Sequence, residues 1–312
     1  MSTTHSRIKR SERLSAPRPA RSAFNRRETR AALLFVAPAA IGFIAFFVVP
    51  AIRGVGFSFT SYDLFSAGSF VGFDNYARLV TDSVFWNALW VTLQYVVVNV
   101  GLQTIVALLI AVLMHRLTKS MVVRGLILGP YLIASVVAAL VWLWILDYQI
   151  GIFNNLLDFI GLDRQSFFGN PHLAIFTVAL INVWKSMGYT ALLLFAGLQT
   201  IPKELYEASS IDGAGEWKSF WRITLPLLRP VLIVVLVISV IGSFQIFDTI
   251  AVTTKGGPVN STRVIYYYIY DLAFNRYEFG YASAMALALF AILAIVTFIQ
   301  LRVTRARDND LA

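Results

Sequence analysis

The side chains best placed to do chemistry in this sequence are polar residues inside long apolar segments. Asn99 and Gln103 are four residues apart, so on a helix they share one face. Lys185 lies near the middle of a second apolar segment, and Gln245 and Asp248 lie three residues apart in a third. Polar groups in such places either line a route for a polar solute or hydrogen-bond between packed helices. The sequence predicts these five residues as candidates for a translocation path, with helix packing as the open alternative.

The groups that build enzyme active sites and metal centres are scarce in this sequence. It has no cysteine, and its three histidines, His5, His115 and His172, are far apart, so neither a metal cluster nor a Ser/His/Asp set is predicted. None of its lysines follows a glycine, so the G-x-x-x-x-G-K-[ST] phosphate loop is absent. We therefore predict no catalytic residues, no metal site and no cofactor bound by this chain.

The composition indicates a membrane protein. Of 312 residues, 58% are hydrophobic and 14% are charged, and the mean hydropathy is +0.69. A soluble domain has about 25% charged residues, and this chain has too little polar surface to cover itself in water. A soluble protein is thus excluded.

Apolar segments long enough to cross a bilayer as helices recur along the chain. A hydrocarbon core of about 30 Å requires roughly 20 apolar residues at a rise of 1.5 Å each. The sequence predicts an all-α polytopic protein with six transmembrane helices, at 31–52, 83–114, 125–146, 172–199, 230–247 and 279–301. Among further polar residues in these spans, helix packing is the favoured role for Asn182, Ser239 and Ser243.

The positive charges predict the orientation. Nineteen of the 26 Lys and Arg residues lie in 1–30, 115–124, 200–229 and the tail after 301, whereas the alternate loops hold five. The positive-inside rule then places both termini in the cytoplasm. The net charge of +9 is therefore interpreted as a topology signal, and no nucleic-acid partner is predicted. The basic segment 1–30 is predicted to be disordered and attracted to anionic membrane lipid.

The cytoplasmic segment 200–229 has the pattern of a docking element. Pro202 is a typical helix start, and Glu204 follows in the first turn, where negative charge suits the helix dipole. Gly213 permits a sharp turn, after which a second amphipathic piece at 216–223 precedes Pro226 and Pro230, which are expected to lead into the fifth span.

This segment resembles the EAA loop of the transmembrane permeases of ABC importers. The matching residues are Glu207, Ala208, Ser209, Asp212, Gly213, Ala214, Phe220, Ile223, Leu225 and Pro226. Ser209 departs from the usual alanine, but a serine is small enough for docking to survive. Further motifs are similar to MalF-like or UgpA-like permeases of the carbohydrate importers, and they extend the resemblance over most of 31–302: Ala37-Pro38-Ala39, Gly72-Phe73-Asp74-Asn75-Tyr76, Val183-Trp184-Lys185, Phe247-Asp248-Thr249-Ile250 and Gly256-Gly257-Pro258.

The resemblance implies a mechanism and a set of partners. It implies a MalF-like transmembrane domain at 31–302, with the coupling loop at 200–229, a basic segment at 1–30 and a cytoplasmic tail at 303–312. The expected partners are a second homologous permease, two ATPase subunits that carry ATP and Mg, and an extracytoplasmic solute-binding protein. The expected location is the inner membrane, and the chain is expected to transport rather than catalyse.

The expected substrate is an uncharged sugar. Glycerol-3-phosphate or a glycerophosphodiester is the first alternative, since closely similar permeases carry them, and an ion-coupled secondary carrier is the alternative of another class. Because Asp248 belongs to the Phe-Asp-x-Ile pattern, the resemblance favours a structural role for it at the outer gate. The tyrosine run before the last span is interpreted as an interfacial aromatic belt, with stacking on a passing sugar as the alternative: Tyr266, Tyr267, Tyr268 and Tyr270.

Overall fold

The computed structural model of the protein describes residues 26–66, 68–118 and 120–308. The chain divides into two compact units at Arg53. The basic segment was predicted to be disordered over 1–30, and residues 1–25 of it lie outside the described residues. The first helix begins at Arg26, five residues before the predicted start of the first span at residue 31. At the other end the last helix continues through Asp308, so much of the predicted tail is helical.

Every regular element in the described ranges is helical apart from one isolated antiparallel bridge between Thr60 and Phe70. Three π-helical turns, Ile44–Val48, Phe220–Thr224 and Asp271–Asn275, interrupt the series. The α-helices are α1 (Arg26–Phe43), α2 (Val49–Phe57), α3 (Asp74–Thr81), α4 (Ser83–Leu117), α5 (Met121–Leu132), α6 (Ser135–Ile145), α7 (Ile152–Phe159), α8 (Ala174–Leu198), α9 (Lys203–Ile211), α10 (Glu216–Ser219), α11 (Leu225–Phe244), α12 (Asp248–Thr253), α13 (Ile265–Tyr270) and α14 (Phe279–Asp308).

The apolar helices confirm the all-α membrane fold. Within the described residues, five helical stretches are long and apolar enough to cross a membrane, and a bent pair makes a sixth if it counts as one span. The five stretches are Ala32–Phe57, Ser83–Leu117, Ala174–Leu198, Glu216–Thr253 and Phe279–Arg302.

The third predicted span is not a single helix, so its prediction as an unbroken helix over 125–146 was wrong. α5 and α6 meet at an angle of 88°, because Ile133 and Ala134 are extended, with ψ of 133° and 136°. Pro130, just before the break, lacks the N–H that an inner helical turn requires. Broken backbone at membrane depth is tolerated where it lines a polar cavity, and Ser135, just after the break, does so.

The fifth predicted span also differs from expectation. Pro226 and Pro230 do not lead into the helix but lie within it, since α10, the π turn Phe220–Thr224 and α11 follow one another without a loop. The helix then breaks at 245–247 and resumes as α12. As a result, the second half of the predicted docking element is the start of a membrane-spanning helix.

The core of the second unit consists of two apolar clusters built mainly on the packing of α4 against α8. One contains Phe85, Val178 and Met285, and the other contains Ala107 and Leu194. The buried polar residues Gln103 on α4 and Thr190 on α8 lie between the two clusters along their helices. Close packing of α8 on α5 depends on Gly188, where a Cβ atom would overlap the backbone carbonyl oxygen of Ile127.

Candidate functional site

A cavity of about 500 Å³ lies in the helical bundle of the second unit. Its walls come from α4, α5, α6, α8, α11 and α12, with one residue from α13. The structure brings all five predicted path residues to this one cavity: Asn99, Gln103, Lys185, Gln245 and Asp248. A volume of this size is within the range of small-molecule sites.

Two amides form a buried polar layer on one side of the cavity. The Asn99 Nδ2 donates to Ser243 Oγ at 2.9 Å and, more weakly, to Gln103 Oε1 at 3.4 Å. The Gln103 Nε2 donates to Thr190 Oγ1 at 2.7 Å. Asn99 Oδ1 is buried and has no hydrogen-bond partner among the described residues. These amides therefore pack helices together and also present an unused acceptor beside the cavity.

Aromatic rings and one cation form another part of the wall. The rings of Tyr131 on α5 and Tyr189 on α8 stack with centroids 4.5 Å apart and planes at 11°. The Lys185 Nζ lies 5.5 Å from the Tyr131 centroid, within the range of a cation–π contact. A stacked aromatic pair beside hydrogen-bonding groups suits a ligand that has both apolar ring faces and hydroxyl groups.

The two charged residues of the cavity are not paired with each other. Among the residues that the structure describes, neither Lys185 nor Asp248 belongs to an ion pair. Asp248 opens α12, next to Thr249, whose hydroxyl accepts a hydrogen bond from Asn182 on α8 at 3.2 Å. The lining contains one positive and one negative side chain, so its formal charge is balanced.

The tyrosine run before the last span has divided roles. Tyr266 lines the cavity and lies 6.2 Å from Phe247, measured between ring centroids. Tyr267 and Tyr268 are buried, so they do not belong to a lipid-facing belt. Burial, followed by a hydrogen bond to the Asp82 carboxylate, raises the pKa of Tyr268 to about 12, which keeps its hydroxyl a donor at neutral pH.

Asp82 joins α4, α13 and α14 at one end of the bundle. It caps α4 by accepting from the backbone N–H of Val84 (2.8 Å) and Phe85 (3.2 Å). The hydroxyls of Tyr268 and Tyr281 donate to its other oxygen at 2.9 and 2.7 Å. Partial burial opposes ionisation, but these four hydrogen bonds outweigh it and hold the pKa of Asp82 below its ordinary value.

The predicted docking element has the expected helix and turn. Pro202 precedes α9, and Gly213 follows it with φ of +71°, in the left-handed region where a side chain is disfavoured. Glu207 and Asp212 are exposed, as an intersubunit contact requires. The unusual Ser209 hydrogen-bonds Ser219 on α10, with hydroxyl oxygens 2.9 Å apart, so it joins the two halves of the element.

Of the remaining residues of the motif, Ala208 lies on α9 before the turn, and the others lie on or after the turn. Ala208 and Pro226 are exposed, whereas Ala214, Phe220, Ile223 and Leu225 are partly buried. An ion pair between Arg116 and Glu216 ties this element to the end of α4. The docking element is thus attached both to α4 and, through the continuous helix, to α11.

Comparison with known families decides what the chain is. The family described as the inner membrane component of binding-protein-dependent transport systems matches residues 103–308. The chain belongs to this permease family.

Relatives of the permease cover most of its length. A probable ABC transporter permease protein of Bacillus subtilis, YesP, is 38% identical over 280 residues, which is 88% of this chain and 90% of that protein. The sulfoquinovosyl glycerol permease SmoG of Agrobacterium fabrum is 35% identical, with coverage of 89% and 91%. The trehalose/maltose permease MalF of Thermococcus litoralis is 38% identical, with coverage of 77% and 81%.

Solved structures confirm the fold. A chain of a bacterial ABC transporter involved in the import of the acidic polysaccharide alginate has a TM-score of 0.79 and 25% identity, with coverage of 90% of this chain and 98% of that chain. A second alginate transporter structure, in complex with a pentasaccharide-bound periplasmic protein, has a TM-score of 0.80. The permease is thus a multi-pass inner-membrane transport subunit of an ABC importer. This result excludes the alternative prediction of an ion-coupled secondary carrier.

Sequence reasoning missed several wall residues of the permease, among them two stacked tyrosines, and one structural residue. Tyr131, Tyr189 and Thr190 are ordinary residues of apolar spans in the sequence, and only packing aims them into the cavity. Asp82 did carry a signal, because an aspartate just before an apolar run is a typical N-cap.

Proposed function

We propose that this permease forms one half of the path of an ATP-driven importer for an uncharged sugar. The observation that carries the proposal is the cavity that gathers all five polar residues predicted for the path. Asn99, Gln103 and Lys185 line the cavity with groups that can hydrogen-bond a hydroxyl, and the Tyr131–Tyr189 pair offers an aromatic surface for a sugar ring.

The charge balance of the cavity favours a neutral substrate over a phosphorylated one. A phosphate group calls for several cationic or N–H donors, and the lining has one cation, Lys185, and one anion, Asp248. Glycerol-3-phosphate is the second candidate, since the UgpA permease of Salmonella typhimurium is 33% identical over 277 residues. Lys185 would then be the residue that attracts the phosphate.

The partners follow from the family. We infer a second homologous permease, two ATPase subunits that hold ATP and Mg, and an extracytoplasmic binding protein that delivers the sugar. The segment around α9 would dock on an ATPase at the cytoplasmic face, with Glu207 and Asp212 making charge-assisted contacts and Gly213 setting the turn. Rotation of the helix from Glu216 to Phe244 would then change access to the cavity.

Affinity purification of the tagged permease from mild detergent, with mass spectrometry, tests the assembly. We expect a P-loop ATPase, a second permease and a binding protein. The recovered binding protein is then screened for thermal stabilisation by neutral sugars and by glycerol-3-phosphate. Stabilisation by glycerol-3-phosphate alone would contradict the sugar proposal but keep the transporter class, whereas recovery of the permease without an ATPase would contradict the assembly.

A further inference from the structure

The loop between the third and fourth spans carries a short helix whose apolar face is exposed. On α7 the apolar side chains of Ile152, Leu156, Phe159 and the following Ile160 share one face and point outward, with Phe159 86% exposed. On the opposite, polar face Asn154 is completely buried in the loop, whereas Asn155 and Asp158 are exposed. A surface helix in water buries its apolar face against the protein instead.

This arrangement is held in place by a dense set of hydrogen bonds. The Asn154 Nδ2 donates to the carbonyl oxygens of Asp147 and Gln165, and its Oδ1 accepts from the Gln165 N–H at 2.8 Å. Arg164 donates to Asp158, Asn155 and the carbonyl oxygens of Tyr148 and Gln149. The polar groups of the loop are therefore used internally, and its outward face is an apolar surface on a rigid base.

The depth of this surface points to the membrane boundary. α8 has 25 residues, or about 37 Å at 1.5 Å each, which exceeds a hydrocarbon core of about 30 Å. A helix of this length is long enough to extend past the hydrocarbon core and place its first residue, Ala174, at the headgroup region on the side where the loop is attached. Just before the loop, Trp144 and Tyr148 are exposed, and exposed Trp and Tyr residues mark the membrane–water interface.

We infer that residues 150–162 form an interfacial platform that lies in the headgroup–acyl boundary of the bilayer, on the face opposite the docking element. Interfacial helices bury an apolar face to this depth and keep their polar face toward water or protein. The platform joins α6 to α8, and both helices line the cavity. Lipid contact would fix the ends of α6 and α8 that flank the platform while the other end of the bundle moves with the ATPase.

Spin labelling in the assembled transporter tests the platform. Because the chain has no cysteine, Leu156→Cys and Phe159→Cys place single nitroxides on the apolar face, and Asp163→Cys, at an exposed residue of the same loop, serves as the control. In vesicles of phosphatidylethanolamine and phosphatidylglycerol, we expect the ratio of collision with oxygen to collision with a water-soluble nickel chelate to be several-fold higher at 156 and 159 than at 163.

Two results would overturn the inference. A nickel-accessible label at 156 and 159 would place the helix in water. Exclusion of both reagents at these positions would place it against another protein subunit. Neither result would contradict the importer proposal, because that proposal depends on the cavity and on the recovered partners.

Discussion

Asn99 on α4 and Ser243 on α11 are 144 residues apart in the chain and share a hydrogen bond of 2.9 Å at the wall of the cavity. Ser243 belongs to the helical stretch that begins at Glu216, directly after the segment around α9 that we propose to dock on an ATPase. One helical stretch thus links the end of this proposed docking segment to a wall of the cavity. This continuity would carry a movement of the segment around α9 toward the cavity.

Removing the Ser243 hydroxyl should destabilise the contact between α4 and α11. Ser243→Ala leaves the Asn99 Nδ2 with only its longer contact to Gln103, and interhelical hydrogen bonds in membranes contribute about 0.6 kcal/mol on average. We expect a lower melting temperature in detergent. Ser239→Ala is the matched control, four residues away on the same helix and also at the cavity; equal melting temperatures for the two variants would contradict the role of the bond.

Neutralising one charge of the cavity should impair import of a neutral sugar. Lys185→Met or Asp248→Asn leaves an uncompensated charge, and we expect import to fall about tenfold, the effect of roughly 1.4 kcal/mol. The double variant should recover part of the loss because it restores the balance. The measurement is uptake into proteoliposomes that contain the recovered partners. Higher uptake of glycerol-3-phosphate by Asp248→Asn would instead favour the anionic substrate.

Changing the turn of the docking element should uncouple ATP hydrolysis from transport. Gly213 has φ of +71° and donates its N–H to the Ser210 carbonyl, so Gly213→Pro cannot adopt the turn and loses the hydrogen bond. Glu207→Lys reverses an exposed charge of the same element. We expect a loss of substrate-stimulated ATPase activity of more than about tenfold, with the binding protein still docking.

The matched control for the turn is Gly215→Ala. Gly215 has φ of −67° and open space around it, so alanine fits there. Normal coupling in Gly213→Pro and Glu207→Lys, measured in reconstituted vesicles, would show that this segment does not transmit the ATPase motion.

A side chain at Gly188 should push α5 away from α8. A Cβ atom there would overlap the Ile127 carbonyl oxygen, and overpacking costs about 1–3 kcal/mol. Gly188→Ala should therefore lower the melting temperature and reduce uptake, because the Tyr131–Tyr189 pair spans this contact. Gly101→Ala on α4 meets no atom within 4 Å and should be neutral. Similar behaviour of the two variants would contradict this packing.

The contribution of Asp82 to stability should depend on pH. Its pKa is lower in the folded protein than its ordinary value of about 4, so the unfolded chain binds the proton more tightly. The stabilisation is then fully present above about pH 5 and is lost as the pH falls through the folded pKa. The melting temperature of Asp82→Asn should be lower than that of the parent at pH 7, and the two should converge in acid; a constant difference would exclude ionisation as its cause.

The sequence by itself determined the features that depend on short stretches of neighbouring residues. Long apolar runs are visible in composition, so five of the predicted spans appear as apolar helices. The helix α9 and the turn after it follow from Pro202, whose fixed φ favours a helix start, and from Gly213, whose conformational freedom permits the positive φ of the turn. The resemblance of the same segment led to the correct family.

The tertiary structure decided which of these residues meet. Hydropathy is the same for a straight and a broken span, so it did not reveal the 88° bend between α5 and α6. Hydropathy also could not show that Asn99 would hydrogen-bond Ser243, or that Tyr131 would stack on Tyr189. Those contacts join separate helices, and their choice depends on packing geometry that the local pattern of polar and apolar residues does not contain.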